Sequence, residues 1–189
     1  MVYKLSTDFD NFAINKELDK EVFRDIQQHC LRVANLSILV GKELKISMDE
    51  MENLRLSAML HDYGKYYIPK NILLKPKKLT SAEMLIMRKH AYYGSQIAKK
   101  KTNKEEIVTN ILYHHENFDG TGYYGVKGDF IPYNSRIIRI CDVYDALTSE
   151  RPYRKALKNK EALEIMEEEK VHYDPEIYES FKKIMTNKI

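Results

Sequence analysis

Hydrophobic side chains recur at steps of three and four residues along most of the chain, which is the spacing of one face of an α-helix. The clearest example runs over residues 20–44, where Ile26, Cys30, Val33 and Val40 share one stripe. Similar stripes continue almost to the end of the sequence, and a short hairpin in a glycine-rich loop is the one hint of strand. The pattern predicts an all-α fold, a single-domain bundle of about seven helices.

Capping residues indicate where several of these helices begin and end. Asp49 and Gly64 suit the two ends of a helix over 50–63. Residues 80–83 read Thr-Ser-Ala-Glu, a capping box, and open a helix that reaches His90. The other predicted helices are a continuation beyond Gly94 with a kink or a tight contact there, one from Asn103 to His114-His115, one from Pro132 to Leu147, and two over 160–170 and 175–187.

Two segments interrupt the helical pattern. Residues 69–76 begin and end with proline and are predicted to be a connector. Residues 116–133 hold four of the seven glycines of the chain. A loop of this length inside a compact helical domain is longer than a connection requires, which indicates a functional role.

Composition limits the class of protein. The chain of 189 residues is long enough for one sizeable core, predicted over 20–187 after a polar lead-in over 1–19. A net charge of +3, from 31 basic and 28 acidic residues, gives no electrostatic case for a nucleic-acid polymer as partner. Cys30 and Cys141 form no CxxC pair, and no signal peptide or membrane-spanning run is visible. We therefore expect a cytoplasmic protein without a membrane partner.

The first chemical signal is His61-Asp62, which follows the apolar run Leu56 to Leu60. A charged group carried into the interior is costly unless it is paired, hydrogen-bonded or bound to metal. Neighbouring residues of a helix point about 100° apart, so this pair would address two adjacent positions rather than chelate one ion. The alternative is a hydrogen-bonded core histidine beside a capping aspartate.

The other histidines favour the metal interpretation. Together with two inward-facing aspartates they are difficult to satisfy by pairwise hydrogen bonds, whereas a metal cluster satisfies them together. The residues concerned are His29, His61, His90, His114, His115, Asp62 and Asp142. Nitrogen and carboxylate ligands without thiolate suit iron, manganese, nickel or zinc. Two imidazole-rich sets that share Asp62 suggest two metals, which would generate hydroxide near neutral pH and stabilise in-line displacement at phosphorus.

The order of these motifs resembles the HD-GYP subgroup of the HD phosphohydrolase superfamily, over about residues 20–181. The stretches that carry the resemblance are His61-Asp62-Tyr63-Gly64-Lys65, His90, the run from His114-His115-Glu116 to Gly122-Tyr123-Tyr124, Asp142-Val143-Tyr144-Asp145-Ala146-Leu147 and Arg151-Pro152-Tyr153-Arg154. The resemblance implies an all-helical domain that binds iron or manganese. It also implies hydrolysis of cyclic di-GMP to linear pGpG and onward to GMP.

Roles follow from the resemblance residue by residue. One metal would be held by His29, His61, Asp62 and Asp142, and the other by Asp62, His90, His114 and His115. Lys65 would contact the phosphate or supply the leaving-group proton, unless it is only a cation at a helix end. Arg151 and Arg154 match phosphate contacts of the family, the alternative being a surface pair. Asp145 is expected to orient a ligand or Lys65, and His172 to be structural.

The substrate loop departs from the family signature. Gly122 and Tyr123 match the first two residues of Gly-Tyr-Pro, but Tyr124 stands where proline is expected. The backbone there loses a fixed φ and gains a hydrogen-bond donor. Because the family uses this loop for substrate and for diguanylate cyclase partners, specificity and partnering stay open. The alternatives are hydrolysis of another cyclic dinucleotide or nucleotide phosphoester, and a silent module that binds a cyclic dinucleotide or a signalling protein.

A third metal is the last expectation. Asp25 lies four residues before His29, so the two side chains share one helix face about one turn apart. In the family that the sequence resembles, members with a carboxylate there, usually glutamate, can hold three metals, whereas others hold two. Aspartate is shorter by one methylene, so Asp25 is expected either to be a third-site ligand or to orient His29.

Overall fold

The computed structural model describes residues 20–150 and 155–186, and all regular structure within these ranges is helical. The absence of strand in them confirms the all-α prediction, and the glycine-rich loop forms no hairpin. The described helices are α1 (Lys20–Glu43), α2 (Met48–Leu60), α3 (Lys70–Leu73), α4 (Ser81–Lys101), α5 (Glu105–Leu112), α6 (Tyr133–Thr148), α7 (Asn159–Glu168) and α8 (Pro175–Thr186). Short 3₁₀ turns occupy Tyr63–Tyr67, Gly128–Phe130 and Lys170–His172.

Helix α1 is the centre of the packing, because it contacts α2, α6 and α8. One buried cluster joins these three helices to α7 and α8. A second cluster joins the N-terminal half of α1 to the first 3₁₀ turn, α4 and α5. Cys30 belongs to the second cluster and Cys141 to the first, and both are buried next to predicted metal ligands. The ligands are therefore positioned by both clusters.

Several predicted helix ends differ from the observed ones. Ser47, not Asp49, is the N-cap of α2, because its hydroxyl accepts from Glu50 N–H while the Glu50 carboxylate accepts from Ser47 N–H. Helix α5 begins after Lys104 rather than after an Asn103 cap. The connector predicted over 69–76 contains the short helix α3, and α4 runs past His90 without interruption. The capping box predicted at the start of α4 is confirmed.

Gly64 does not end α2, as the sequence suggested, but allows a close approach between two elements. It lies in the first 3₁₀ turn, and a Cβ added there would be 1.9 Å from the carbonyl oxygen of His90. Gly94 lies on the same α4 face, where a Cβ would be 3.0 Å from a methyl of Ile111. The two glycines therefore bring α4, α5 and the end of α2 together, so the expected tight contact at Gly94 is what the structure contains.

The remaining predictions about organisation fall partly outside the described ranges. The lead-in predicted over 1–19 lies outside the described ranges, which begin at Lys20. Arg151 and Arg154 also lie outside them. Within the described ranges, no helix combines the length and the apolar character needed to cross a membrane.

Candidate metal centre

Three histidines are held in one tautomer by their own helices. The Nδ1–H groups of His61, His90 and His114 each donate to the backbone carbonyl three residues earlier, at 2.7, 2.7 and 2.6 Å. A carbonyl oxygen only accepts, so in each neutral ring the proton is on Nδ1 and the lone pair is on Nε2. His90 lies in the middle of α4, whereas the sequence placed it at a helix end. The three rings thus present bare nitrogens to the interior.

Two of these nitrogens, those of His90 and His114, face each other, and His115 joins them. The Nε2 atom of His90 lies 3.3 Å from that of His114 and 3.1 Å from that of His115. Burial lowers the pKa of His90 to about 4 and holds the pKa values of His114 and His115 well below their usual range, so the rings are neutral. The facing lone pairs of His90 and His114 repel, and among the described residues His61 Nε2 and Asp62 Oδ1 are also buried without a hydrogen-bond partner. A cation is the group that fits this arrangement.

His29 on α1 has a different environment, because three carboxylates surround it. Its Nε2 lies 3.3 Å from Asp62 Oδ2 and 3.1 Å from Asp142 Oδ1, and its Nδ1 lies 2.7 Å from Asp145 Oδ2. Burial alone would lower the pKa of His29, but hydrogen bonds to these carboxylates raise the pKa to about 11. Arg32 donates to both oxygens of Asp145, at 2.7 and 3.0 Å. Asp145 therefore orients His29.

Potential ligand atoms form two neighbouring sets, in each of which the atoms lie within 4.8 Å of one another. The sets are Asp62, His90, His114 and His115, and His29, His61 and Asp142. Asp62 faces both, because Oδ1 is 3.3 Å from His90 Nε2 while Oδ2 is 3.3 Å from His29 Nε2 and 3.6 Å from His61 Nε2. Burial would raise the pKa of Asp62, but the Lys65 charge, His61 and His29 hold it well below its usual range.

A cleft of about 720 Å³ opens onto this centre. Its lining includes His90, His115 and Asp142, an apolar wall from α3 and α6, and several cations. Lys65 lies in the cleft with its Nζ bonded to Asp62 Oδ2. Tyr123 also lines the cleft, and its ring centre is 4.6 Å from that of His115.

Not every residue selected from the sequence lies in this assembly. Asp25 is exposed and belongs to neither ligand set of the described residues. His172, which was expected to be structural, lies outside both sets, and its backbone carbonyl accepts the Phe118 N–H. Gly122 packs against backbone, because an added Cβ would be 2.5 Å from the Cα of Glu116.

Sequence reasoning also missed several cations that line the cleft. Arg139 lies three residues before Asp142 on α6, so its helical spacing was a signal in the sequence that could have identified it as a neighbour of Asp142. Lys75, Lys77 and Lys78 follow α3, in or next to a segment read only as a connector, so no periodic signal identified them.

A buried carboxylate holds the glycine-rich loop next to His114-His115. Glu116, directly after His115, is 2% exposed. Its two oxygens accept the backbone N–H groups of Tyr124 and Val126, each at 2.8 Å. Tyr124 has a backbone N–H that the proline of the family signature would lack, and this N–H is therefore bonded to Glu116.

Replacing Tyr124 by proline is expected to lower stability without changing metal content. One oxygen of the buried Glu116 would lose its donor, which costs about 1–3 kcal/mol. Tyr124→Phe keeps the N–H and is the matched control, with an unchanged melting temperature. Thermal unfolding of the two variants checks this, and equal melting temperatures would show that the Tyr124 N–H is not needed to hold the loop.

Fold and centre together define a helical domain of the histidine–aspartate metal-binding class. A family model described as HD domain matches residues 14–177, so the chain belongs to the HD domain family. Domains of this family bind divalent metals, and the clustered ligands agree with that property.

Relatives place the chain near the HD-GYP proteins. It is 36% identical over 157 residues to a cyclic di-GMP phosphodiesterase of Pseudomonas aeruginosa, covering 82% of the chain and 38% of that protein. It is 42% identical over 160 residues to a 3'3'-cGAMP-specific phosphodiesterase of Vibrio cholerae, covering 83% and 35%. The chain thus spans little more than a third of the length of these relatives.

Solved structures share the fold. An HDG"Y"P protein from Bdellovibrio bacteriovorus superposes with a TM-score of 0.70 at 22% identity, covering 85% of this chain and 52% of that one. The HD domain of a phosphodiesterase from L. monocytogenes, solved with cyclic di-AMP, gives a TM-score of 0.59 at 17% identity, covering 86% and 88%. Together with the sequence relatives, these matches confirm the resemblance to the HD-GYP subgroup.

Proposed function

We propose that the chain hydrolyses cyclic di-GMP to pGpG, and onward to GMP, at the centre described above. The observation that carries the proposal is the convergence of bare histidine nitrogens and two aspartates beside a lysine, at the floor of a cleft lined by cations. Such a cleft suits an anionic substrate, because field lines between low-dielectric walls are focused on it. The curated relatives named for this chemistry act on cyclic dinucleotides.

Two divalent metals are proposed, iron or manganese first and nickel or zinc as alternatives. The residues that would hold them are His29, His61, Asp62 and Asp142 on one side, and Asp62, His90, His114 and His115 on the other. Divalent metals lower the pKa of water and neutralise charge that develops on a phosphoryl group. Asp145 and Arg32 would keep His29 in place, as outer partners of metal ligands do. A third metal on Asp25 stays a prediction.

Lys65 is the proposed proton donor. Its Nζ bonds to Asp62, the carboxylate that faces both ligand sets, so the ammonium is held at the place where a phosphate would dock. A proton passed from Nζ to the leaving sugar oxygen would neutralise that oxygen as its bond to phosphorus breaks. Loop residues Gly122 and Tyr123 would border the same substrate, and Tyr123 is already fixed against His115.

A second candidate substrate is 3'3'-cGAMP, because a relative specific for it is 42% identical to the chain. Turnover by anaerobically metal-loaded protein should be compared for cyclic di-GMP, 3'3'-cGAMP, cyclic di-AMP and cyclic GMP. We expect cyclic di-GMP to be cleaved fastest, with pGpG and then GMP as products. Faster cleavage of 3'3'-cGAMP would support the second candidate. Binding without turnover of any of the four would support a silent module, and docking to a diguanylate cyclase through the variant loop would then be tested.

Arg151 and Arg154 are proposed to contact substrate phosphate. Replacing either by alanine should raise KM for the cyclic dinucleotide and leave metal content unchanged. A lost charge-assisted hydrogen bond costs about 1.5–3 kcal/mol, or roughly a tenfold change in KM or more. Steady-state kinetics with metal analysis of the same samples tests this, and an unchanged KM in both variants would make the arginines structural.

A further inference from the structure

Arg139 is a partly buried cation that the proposed reaction has not used. It lies on α6 one turn before Asp142, and its side chain lines the cleft together with Lys65, His115 and Tyr123. Residues three apart on a helix are neighbours on its surface, so Arg139 stands beside the ligand set.

A chain of hydrogen bonds fixes the orientation of its guanidinium. The Nε–H of Arg139 donates to Asn117 Oδ1 at 3.0 Å, and the amide nitrogen of Asn117 donates to Thr121 Oγ1 at 2.9 Å. The Thr121 hydroxyl in turn donates to Asp119 Oδ1 at 2.7 Å. Because the Thr121 proton is used on Asp119, its oxygen must accept from Asn117, which directs the Asn117 carbonyl oxygen to Arg139.

Comparison with two other arginines shows what Arg139 lacks. Arg136, one turn earlier on α6, binds the carboxylates of Asp129 and Asp174 at 2.8 and 2.6 Å. Arg32 binds Asp145 through two nitrogens. Arg139, in contrast, has no carboxylate within ion-pair distance among the described residues, and its one hydrogen-bond partner there is a neutral amide.

We propose that Arg139 binds a phosphate group of the substrate through its two terminal amino groups. This inference rests on the proposed function and adds a substrate contact to it. A planar guanidinium with Nε already engaged presents two parallel donors, which match two oxygens of a phosphodiester. Its place beside Asp142 puts these donors next to the centre that the phosphate must reach. The neutral partner Asn117 orients the guanidinium of Arg139 without neutralising its charge, which stays available for the substrate.

The experiment compares Arg139→Ala and Arg139→Lys with the wild-type chain, all metal-loaded. KM is measured for cyclic di-GMP and for bis(p-nitrophenyl) phosphate, a diester without a base, and Kd for a slowly hydrolysed phosphorothioate analogue of cyclic di-GMP. We expect Arg139→Ala to raise all three constants at least tenfold with unchanged metal content and melting temperature. Lysine should restore part of the affinity, because it keeps the charge and loses the fork. Arg55→Ala, at a half-buried pair with Glu52 on α2, is the matched control and should leave all three constants unchanged.

Other outcomes separate this proposal from the proposed function. Unchanged constants in Arg139→Ala, with an active wild type, would overturn the role of Arg139 alone. A loss confined to the dinucleotides would mean that the guanidinium reads the guanine edge instead and would overturn the phosphate assignment. A wild type that binds the analogue without turnover would overturn the proposed hydrolysis. The Kd of the Arg139 variants for the analogue would then decide whether Arg139 contacts phosphate. A wild type that neither binds nor hydrolyses would overturn both.

Discussion

Asp62→Ala is expected to abolish both metal occupancy and hydrolysis. One oxygen of this carboxylate faces His90 and the other faces His29 and His61, so the substitution removes a ligand from both sets at once. It also removes a carboxylate that binds Lys65. Metal analysis of anaerobically prepared protein should fall from about two equivalents to near zero, because two imidazole-rich sets without their shared carboxylate bind weakly. Turnover should fall with it.

Asp49→Ala is the matched control for this prediction. Asp49 is an exposed aspartate in the first turn of α2, where it pairs with Lys104. The control should keep its full metal content and its rate. Metal content that survives in Asp62→Ala would mean that Asp62 does not bridge, and that each set holds its ion without it.

Gly64→Ala is expected to be the most destabilising single change at a position that is not a ligand. The added Cβ would lie 1.9 Å from the His90 carbonyl oxygen and 2.5 Å from the Gly94 nitrogen, both of them backbone atoms. Backbone cannot rotate away as a flexible side chain does, so the 3₁₀ turn and α4 must separate. Overpacking of this kind costs roughly 3 kcal/mol or more. In a chain of this size that corresponds to a fall in melting temperature of roughly 10 °C.

Gly41→Ala tests the same chemical change in a tolerant place. A Cβ there would meet the ends of flexible side chains, with the nearest atom of Ile46 at 2.9 Å. Those side chains can shift, and alanine has a higher helix propensity than glycine by about 1 kcal/mol. Its melting temperature should stay close to that of the wild type. Comparable unfolding of both variants would show that the approach of Gly64 to His90 is not critical.

Much of the fold was predictable because local signals and packing agree. The stripe through Ile26, Cys30 and Val33 predicted α1, since that face is buried against two neighbouring helices. The capping box at the start of α4 was visible because its hydrogen bonds involve residues three apart. Histidine and aspartate residues were recognisable as a group because buried polar side chains need partners, whichever helices carry them.

What escaped prediction depends on contacts between distant parts of the chain. Gly64 was read as a helix end because glycine is common there, whereas its role is set by α4, which lies further along the chain. Ser47 and Asp49 are both acceptable caps, and the choice follows from Glu50 reaching back to Ser47. Arg139 resembles an ordinary surface cation until its lack of a carboxylate partner becomes visible in three dimensions.

The Nδ1–H bonds that fix the histidine tautomers connect the ends of two helices with the orientation of the candidate metal ligands. The carbonyls of Ala58 and Ile111 are among the last four of α2 and α5, which have no partner within their own helix. His61 and His114 satisfy these carbonyls with the same rings that present Nε2 to the centre. Each of these histidines therefore acts as the side-chain cap of its helix, and a ring that is correctly aimed requires a helix end that is correctly closed. Fraying of either helix end would turn the Nε2 atom of its histidine away from the centre, even if the rest of the site stayed intact.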